Sequence, residues 1–147
     1  MIKTCVIFCG GYGTRLKSIT KNKPKPMVSV QKKPFLEHLL VQLKAQGIKK
    51  VFLLVGYKKD QIIKYFKSGT KLGLQIEYSY NPPNVETGLR LNTIKKKIKE
   101  DFLLIYSDNY CAFNINKNYE LFKKTKSLIT LTVSRKKVGN IKFTKNY

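Results

Sequence analysis

Residues 6–27 read VIFCGGYGTRLKSITKNKPKPM. An apolar run meets three glycines and an arginine, and a Lys-Pro-Lys-Pro run follows shortly after. The segment KTCVIFC at 3–9 is short, β-rich and closed by Gly10-Gly11, which predicts a buried strand. Glycines after such a strand can make a turn and nothing more. They can also let the backbone approach a phosphate with N–H groups aimed at it. What surrounds the stretch decides between the two.

Downstream, PFLEHLLVQLKAQG places Phe35, Leu36, Leu39, Leu40 and Leu43 at helical spacing, with Pro34 at the start and Gly47 at the stop. KKVFLLVG at 49–56 predicts a second buried strand, and KDQIIKYF a helix through Ile62, Ile63 and Phe66. LQIEYSY at 74–80 alternates apolar and polar residues as a strand does, and its Tyr78 and Tyr80 read as strand packing. TGLRLNTIKKKI at 87–98 predicts a helix through Leu89, Ile94 and Ile98. DFLLIYSDN follows as a strand ending in an acid, NYELFKKTK as a helix, and LITLTVSR at 128–135 as a last strand. Strand and helix alternate at intervals that suit βαβ units. The expected fold is therefore α/β, a mostly parallel sheet covered by helices on both faces. No repeat, linker or domain boundary interrupts residues 1–147, so one domain is expected.

The hydrophobic share of 42% is enough for a core and too high for a disordered chain. No apolar run approaches the ~18 residues of a membrane helix. The start of the chain makes a poor secretory signal, so the cytoplasm is the expected location. Cys5, Cys9 and Cys111 have no metal-type spacing, and Cys5 and Cys9 read as small buried hydrophobes. His38, the sole histidine, lies inside an amphipathic helix and reads as structural.

The formal net charge is +22, yet only three of the 30 basic residues are arginines, Arg15, Arg90 and Arg135. A nucleic-acid binder favours arginine for bidentate contacts. The lysines are scattered along the chain, and the clusters Lys95-Lys96-Lys97 and Lys136-Lys137 read as solvated faces. No specific nucleic-acid partner is expected, although the positive field would draw small phosphorylated substrates.

In a parallel sheet, ligands sit beyond the carboxyl ends of the strands. The glycine loop falls there. It is not a dinucleotide fingerprint, because Leu16 stands where the third glycine belongs. It is not a P-loop either, because no glycine-lysine pair occurs in it. What remains is GGYGTRL followed by KPKP. Arg15 offers a fork of donors suited to phosphate oxygens, and Lys25 stands between two stiffening prolines.

With the PKPM segment at this distance from the loop, the KPFLEHLL helix, the VGY strand end and YSDN, the chain resembles the N-terminal part of the sugar-1-phosphate nucleotidylyltransferases. It is most similar in flavour to those acting with GTP on mannose or heptose 1-phosphate. The resemblance implies a three-layer α/β/α fold with a Rossmann-like sheet of the nucleotide-diphospho-sugar transferase type. It implies that a sugar 1-phosphate oxygen attacks the α-phosphorus of a nucleoside triphosphate and that pyrophosphate leaves, as in the making of surface-glycan precursors. Gly10, Gly11, Gly13 and Thr14 would receive the nucleotide. Arg15 would stabilise the leaving pyrophosphate, Lys25 would orient the phosphates, and Asp108 would hold Mg²⁺.

The resemblance also implies base and sugar contacts from NPPNVETGLRL. There Asn81 would meet the base edge, and Glu86, Thr87 and Gly88 would match the family's glycine-rich segment, with fewer glycines. A second metal carboxylate and most of the sugar pocket are expected outside these 147 residues, in a longer parent, an oligomer or a complementing chain. No aspartate follows Asp108 here. Two alternatives are a non-catalytic nucleotide-binding domain on the same fold and a basic polyanion-binding protein.

Overall fold

The computed structural model describes residues 1–110 and 113–133. Four strands form one parallel sheet: β1 (Thr4–Cys9), β4 (Lys50–Val55), β5 (Gln75–Tyr80) and β6 (Phe102–Tyr106). Their order is β5-β4-β1-β6, and every pairing is parallel. β1 and β4 lie inside the sheet, and both faces of their near-continuous apolar runs are buried, which is why neither alternates polar with apolar.

Three helices cover one face: α1 (Phe35–Ala45), α2 (Lys59–Phe66) and α4 (Ile115–Thr125). Their Leu36, Leu40, Ile62 and Ile115 pack with Cys5, Ile7, Leu53, Val55 and Ile76. On the other face Val6, Phe8, Phe52 and Leu54 pack against Ile94, Leu91 and Ile98, the region of α3 (Thr87–Asn92). Alternate residues of one strand thus feed two separate cores. The expected layered architecture stands.

Three local expectations need correction, and one element was not expected. The helix expected over 87–98 is split into α3 and a 3₁₀ turn, Lys95–Lys97. Within it Leu89 is 61% exposed while Arg90 is only 3% exposed, so the buried stripe is rotated by one residue. The reason is tertiary: the Arg90 fork finds four carbonyls that a leucine could not serve. Residues 128–133 form no strand and are exposed, paired with neither outer strand of the sheet; Ser134 and Arg135, with Cys111 and Lys136-Lys137, lie outside the described residues. Tyr80 is exposed with Lys59 Nζ 5.1 Å from its ring centre, so only Tyr78 packs on the core. Finally, the sequence carried no sign of a small hairpin, β2 (Ser29–Val30) and β3 (Lys33–Pro34). Its turn residues Gln31 and Lys32 both have positive φ, 47° and 65°, without the usual Asn-Gly.

Glu37 enters α1 at its first turn, paired with Lys33 at 2.8 Å and accepting from the Tyr65 hydroxyl at 2.7 Å. The Lys33 hydrogen bond, then that of Tyr65, hold its carboxyl below the ordinary value against the opposing effect of burial. His38 sits with Nε2 2.9 Å from Val30 O and fastens the hairpin to α1. Lys95, Lys96 and Lys97 are exposed, as expected.

Two outcomes test this packing. Leu53→Ala empties a fully buried site in the larger core and should lower the unfolding free energy by about 2–5 kcal/mol in a denaturant titration. Because the folded-state value of Glu37 is depressed, its contribution is present above the ordinary carboxylate range and is lost as pH falls through the lowered value. The stability lost on acidification between about pH 5 and pH 3 should therefore shrink in Glu37→Gln, read from denaturation midpoints.

Candidate active site

The chain lays β4 and β5 to one side of β1 and then crosses to place β6 on the other. The order reverses between β1 and β6, and the crevice at such a reversal is where open α/β sheets take ligands. The glycine loop leaves β1 there, and Asp108 follows β6 there.

Gly10 is buried at the end of β1, and its carbonyl accepts from Tyr57 N at 3.2 Å. Gly13 is left-handed at φ 68°, a conformation that L side chains rarely adopt, and a Cβ on it would press within 3.1 Å of Lys25 Cβ. Its carbonyl accepts from Leu16 N at 3.0 Å and from Thr20 Oγ1 at 2.9 Å. The loop therefore closes at once into a 3₁₀ helix, Thr14–Thr20. Thr14 and Arg15 lie exposed on that helix. Tyr12, Thr14, Ser18, Thr20, Lys21 and Tyr57 line an open cavity of about 330 Å³ beside it.

The second part of the rim is the turn Lys25–Met27. Pro24 and Pro26 are buried on either side of Lys25. Met27 N donates to Pro24 O at 2.8 Å, and Val28 N to Lys25 O at 3.1 Å. The backbone of Lys25 is thus held on both flanks. Its Nζ reaches Asp108 Oδ2 at 2.6 Å, and both side chains are about one third exposed.

Asp108 owes its place to the ladder beneath it. Ser107 N donates to Phe8 O at 3.1 Å, which extends the β1–β6 pairing by one residue before the chain turns. Cys9 lies alongside, its thiol pushed up to about 12 by burial first and by the nearby Asp108, with a Ser107 hydrogen bond opposing. Cys5 is likewise buried and its thiol raised. Neither is a reactive nucleophile, in line with their reading as hydrophobes.

The third part of the rim is the loop after β5. Asn81 N donates to Val55 O at 3.1 Å, and Asn81 Oδ1 is buried without a hydrogen-bond partner. Glu86 caps α3 from an extended conformation; it, Thr87 and Gly88 are exposed. The structure thus brings Gly13, Lys25 and Asp108 together, and sets Gly10 against the Asn81 loop through Arg90. It records no contact between Glu86, Thr87 or Gly88 and the Lys25–Asp108 pair. Sequence reasoning passed over Arg90; its signal was an arginine beside the apolar positions of a short helix.

Among the described residues no cluster of three acidic, histidine or cysteine side chains could by itself hold a metal ion. Asp108 is a single hard oxygen donor. Magnesium commonly takes one or two carboxylates together with substrate phosphates and water, so the donor fits as part of such a set.

Comparison with known proteins agrees with this geometry. The chain is 42% identical over 112 residues to the D-glycero-alpha-D-manno-heptose 1-phosphate guanylyltransferase of Campylobacter jejuni, covering 76% of this chain and 50% of that protein. It is 39% identical over 117 residues to the bifunctional protein GlmU of Methanococcus maripaludis, covering 78% of this chain and 27% of that one. Its structure matches that of HddC from Yersinia pseudotuberculosis with a TM-score of 0.74 at 33% identity, covering 82% of this chain and 54% of HddC. The chain thus spans about half the length of the first relative, 50%, and less of the second. The nucleotidyl transferase family profile matches residues 4–142. Glycine loop, proline-flanked lysine and strand-end aspartate meet on one rim of a sheet of the family's type, and the chain belongs to the nucleotidyl transferase family.

Proposed function

We propose that residues 1–147 form the nucleotide-binding part of a sugar-1-phosphate nucleotidylyltransferase, which joins a nucleoside triphosphate and a sugar 1-phosphate into a nucleotide sugar with release of pyrophosphate. The observation that carries the reading is the meeting of Lys25 and Asp108 at 2.6 Å beside Gly13. A cation and a metal-binding carboxylate placed 83 residues apart in the chain have no strong stabilising reason to converge. A pair this exposed contributes only about 0–1 kcal/mol to stability.

In this reading the backbone of Gly10, Gly11 and Gly13 leaves room for the nucleotide, and Thr14 stands at its edge. A Cβ on Gly11 would meet nothing within 4 Å, so the protein interior does not require glycine there. Room for a ligand does. Arg15 meets the leaving pyrophosphate, and Lys25, its backbone held by the flanking turn, orients the phosphates around the α-phosphorus. Fixed cations stabilise the charge that develops as the bond to pyrophosphate breaks, and they need no reorganisation at that moment. Asp108 would hold Mg²⁺, which would supply charge neutralisation for the phosphates. Lys25 then exchanges its carboxylate partner for phosphate.

Base contact falls to Asn81, with Glu86, Thr87 and Gly88 framing the base and sugar. Asn81 Oδ1 is an acceptor without a protein donor, and a buried acceptor left so costs about 1–3 kcal/mol. The guanylyltransferase relative and the HddC structure solved with GMP-PN support GTP as the nucleotide. No helix among the described residues is long and apolar enough to cross a membrane, and the cytoplasm, where nucleoside triphosphates are available, is the proposed place of action.

The test is pyrophosphate release by the intact protein with each nucleoside triphosphate, Mg²⁺ and hexose or heptose 1-phosphates. Release with GTP is expected to be fastest, and no release with any pair overturns the reading. Lys25→Ala and Arg15→Ala should each lower turnover by about 10²-fold or more. Circular dichroism should stay unchanged. Unaltered rates would remove those roles.

A further inference from the structure

Arg90 belongs neither to the glycine loop nor to the proline-flanked turn, yet it joins the ends of three strands. Its Nε donates to Val85 O at 2.9 Å and its Nη2 to Pro82 O at 2.6 Å. Its Nη1 donates to Val55 O and to Asn81 O, each at 3.3 Å. No carboxylate pairs with it among the described residues. A Cβ on Gly10 would stand only 1.9 Å from Nη1, and one on Gly56 3.0 Å from the same atom. The guanidinium therefore fills the space where the end of β1, the end of β4 and the loop after β5 come together.

The four carbonyls need donors, since a buried carbonyl left without one costs stability, and the guanidinium brings a buried charge whose desolvation is itself costly. Burial pulls Arg90 below the usual guanidinium value, with Tyr80 opposing. What the guanidinium supplies is direction. A planar fork serves several carbonyls at fixed angles, which the single ammonium of a lysine cannot do. Three of the four carbonyls, those of Asn81, Pro82 and Val85, belong to the loop assigned to the base, and the floor on which the fork rests is Gly10.

We infer that Arg90 is a positioning residue for base selection: its guanidinium locks loop 81–85 to the first glycine of the phosphate loop and so fixes the Asn81 amide relative to the nucleotide. The inference rests on the nucleotide-binding reading above. Arg90 acts through the backbone it holds and is not itself a ligand of the nucleotide.

Calorimetric titration of the intact protein with GTP, ATP, CTP and UTP, without sugar phosphate, tests it. In Arg90→Lys, which keeps the charge and loses the fork, the ratio of GTP affinity to that for the other three should fall about tenfold. Amide hydrogen exchange of loop 81–85 should quicken while β1 and β4 stay protected. A variant that weakens all four nucleotides equally shows a merely structural role and overturns the inference. So does a lysine that preserves the base preference, which would mean that charge alone suffices. Arg90→Gln, with fewer donors and no charge, serves if Arg90→Lys does not fold, and the same loss of preference is expected. If neither folds, Arg90 is structural and the inference falls. A wild-type protein that binds none of the four removes the nucleotide reading itself, an outcome distinct from binding with unchanged preference in the variants.

Discussion

Parallel hydrogen bonding of β1 on both its edges is the constraint from which the site follows. Thr4 to Cys9 pair with Lys50 to Val55 on one side, and Thr4 to Phe8 pair with Phe102 to Tyr106 on the other. Parallel strands end at the same edge of a sheet, so the loops after β1, β4, β5 and β6 all leave from one rim. Residues far apart in the chain then become neighbours without any direct affinity for one another. The Ser107 N to Phe8 O bond is the last rung of this ladder, and one residue later stands Asp108.

The rim is rigid in proportion to how fully its backbone groups are used. Gly13 O takes two donors, the Lys25 turn is closed on both flanks, and Arg90 holds the carbonyls that the irregular loop after β5 leaves open. Irregular backbone that is buried must find partners, and here the donors come from side chains rather than from another strand. Of the side chains proposed to meet substrate, Arg15, Glu86, Thr87 and Asp108 stay exposed, Lys25 is partly covered and Asn81 is half-buried. Such a division suits a site whose frame is fixed while its polar groups exchange water for phosphate.

The excess of positive charge fits the same picture. Glu37, Asp60, Asp101 and Asp108 each hold a lysine, and Glu77 holds two, Lys50 and Lys97. With a formal net charge of +22, most lysines have no carboxylate to answer them. The resulting field adds attraction for polyphosphates at long range, where it is screened by salt, while selection is left to the few fixed groups on the rim.

The α/β class, the buried strands at 3–9 and 49–56 and the helix at 35–45 were legible in the sequence, because apolar period, glycine and proline act locally; the roles proposed for Gly10 to Arg15, Lys25 and Asp108 rest on the resemblance to the family. Arg90, Gln31 and Lys32 show why the rest was not. The burial of Arg90 depends on carbonyls from Val55 and from 81–85 that arrive only when β4 and β5 align, so local periodicity put Leu89 inside instead. The positive φ of Gln31 and Lys32 is imposed by the hairpin they close, against their own preference. The meeting of Lys25 with Asp108 has the same origin. Apolar spacing and the placing of glycine and proline determined which main elements form; the parallel register of the sheet alone decided which of the candidate groups share one rim.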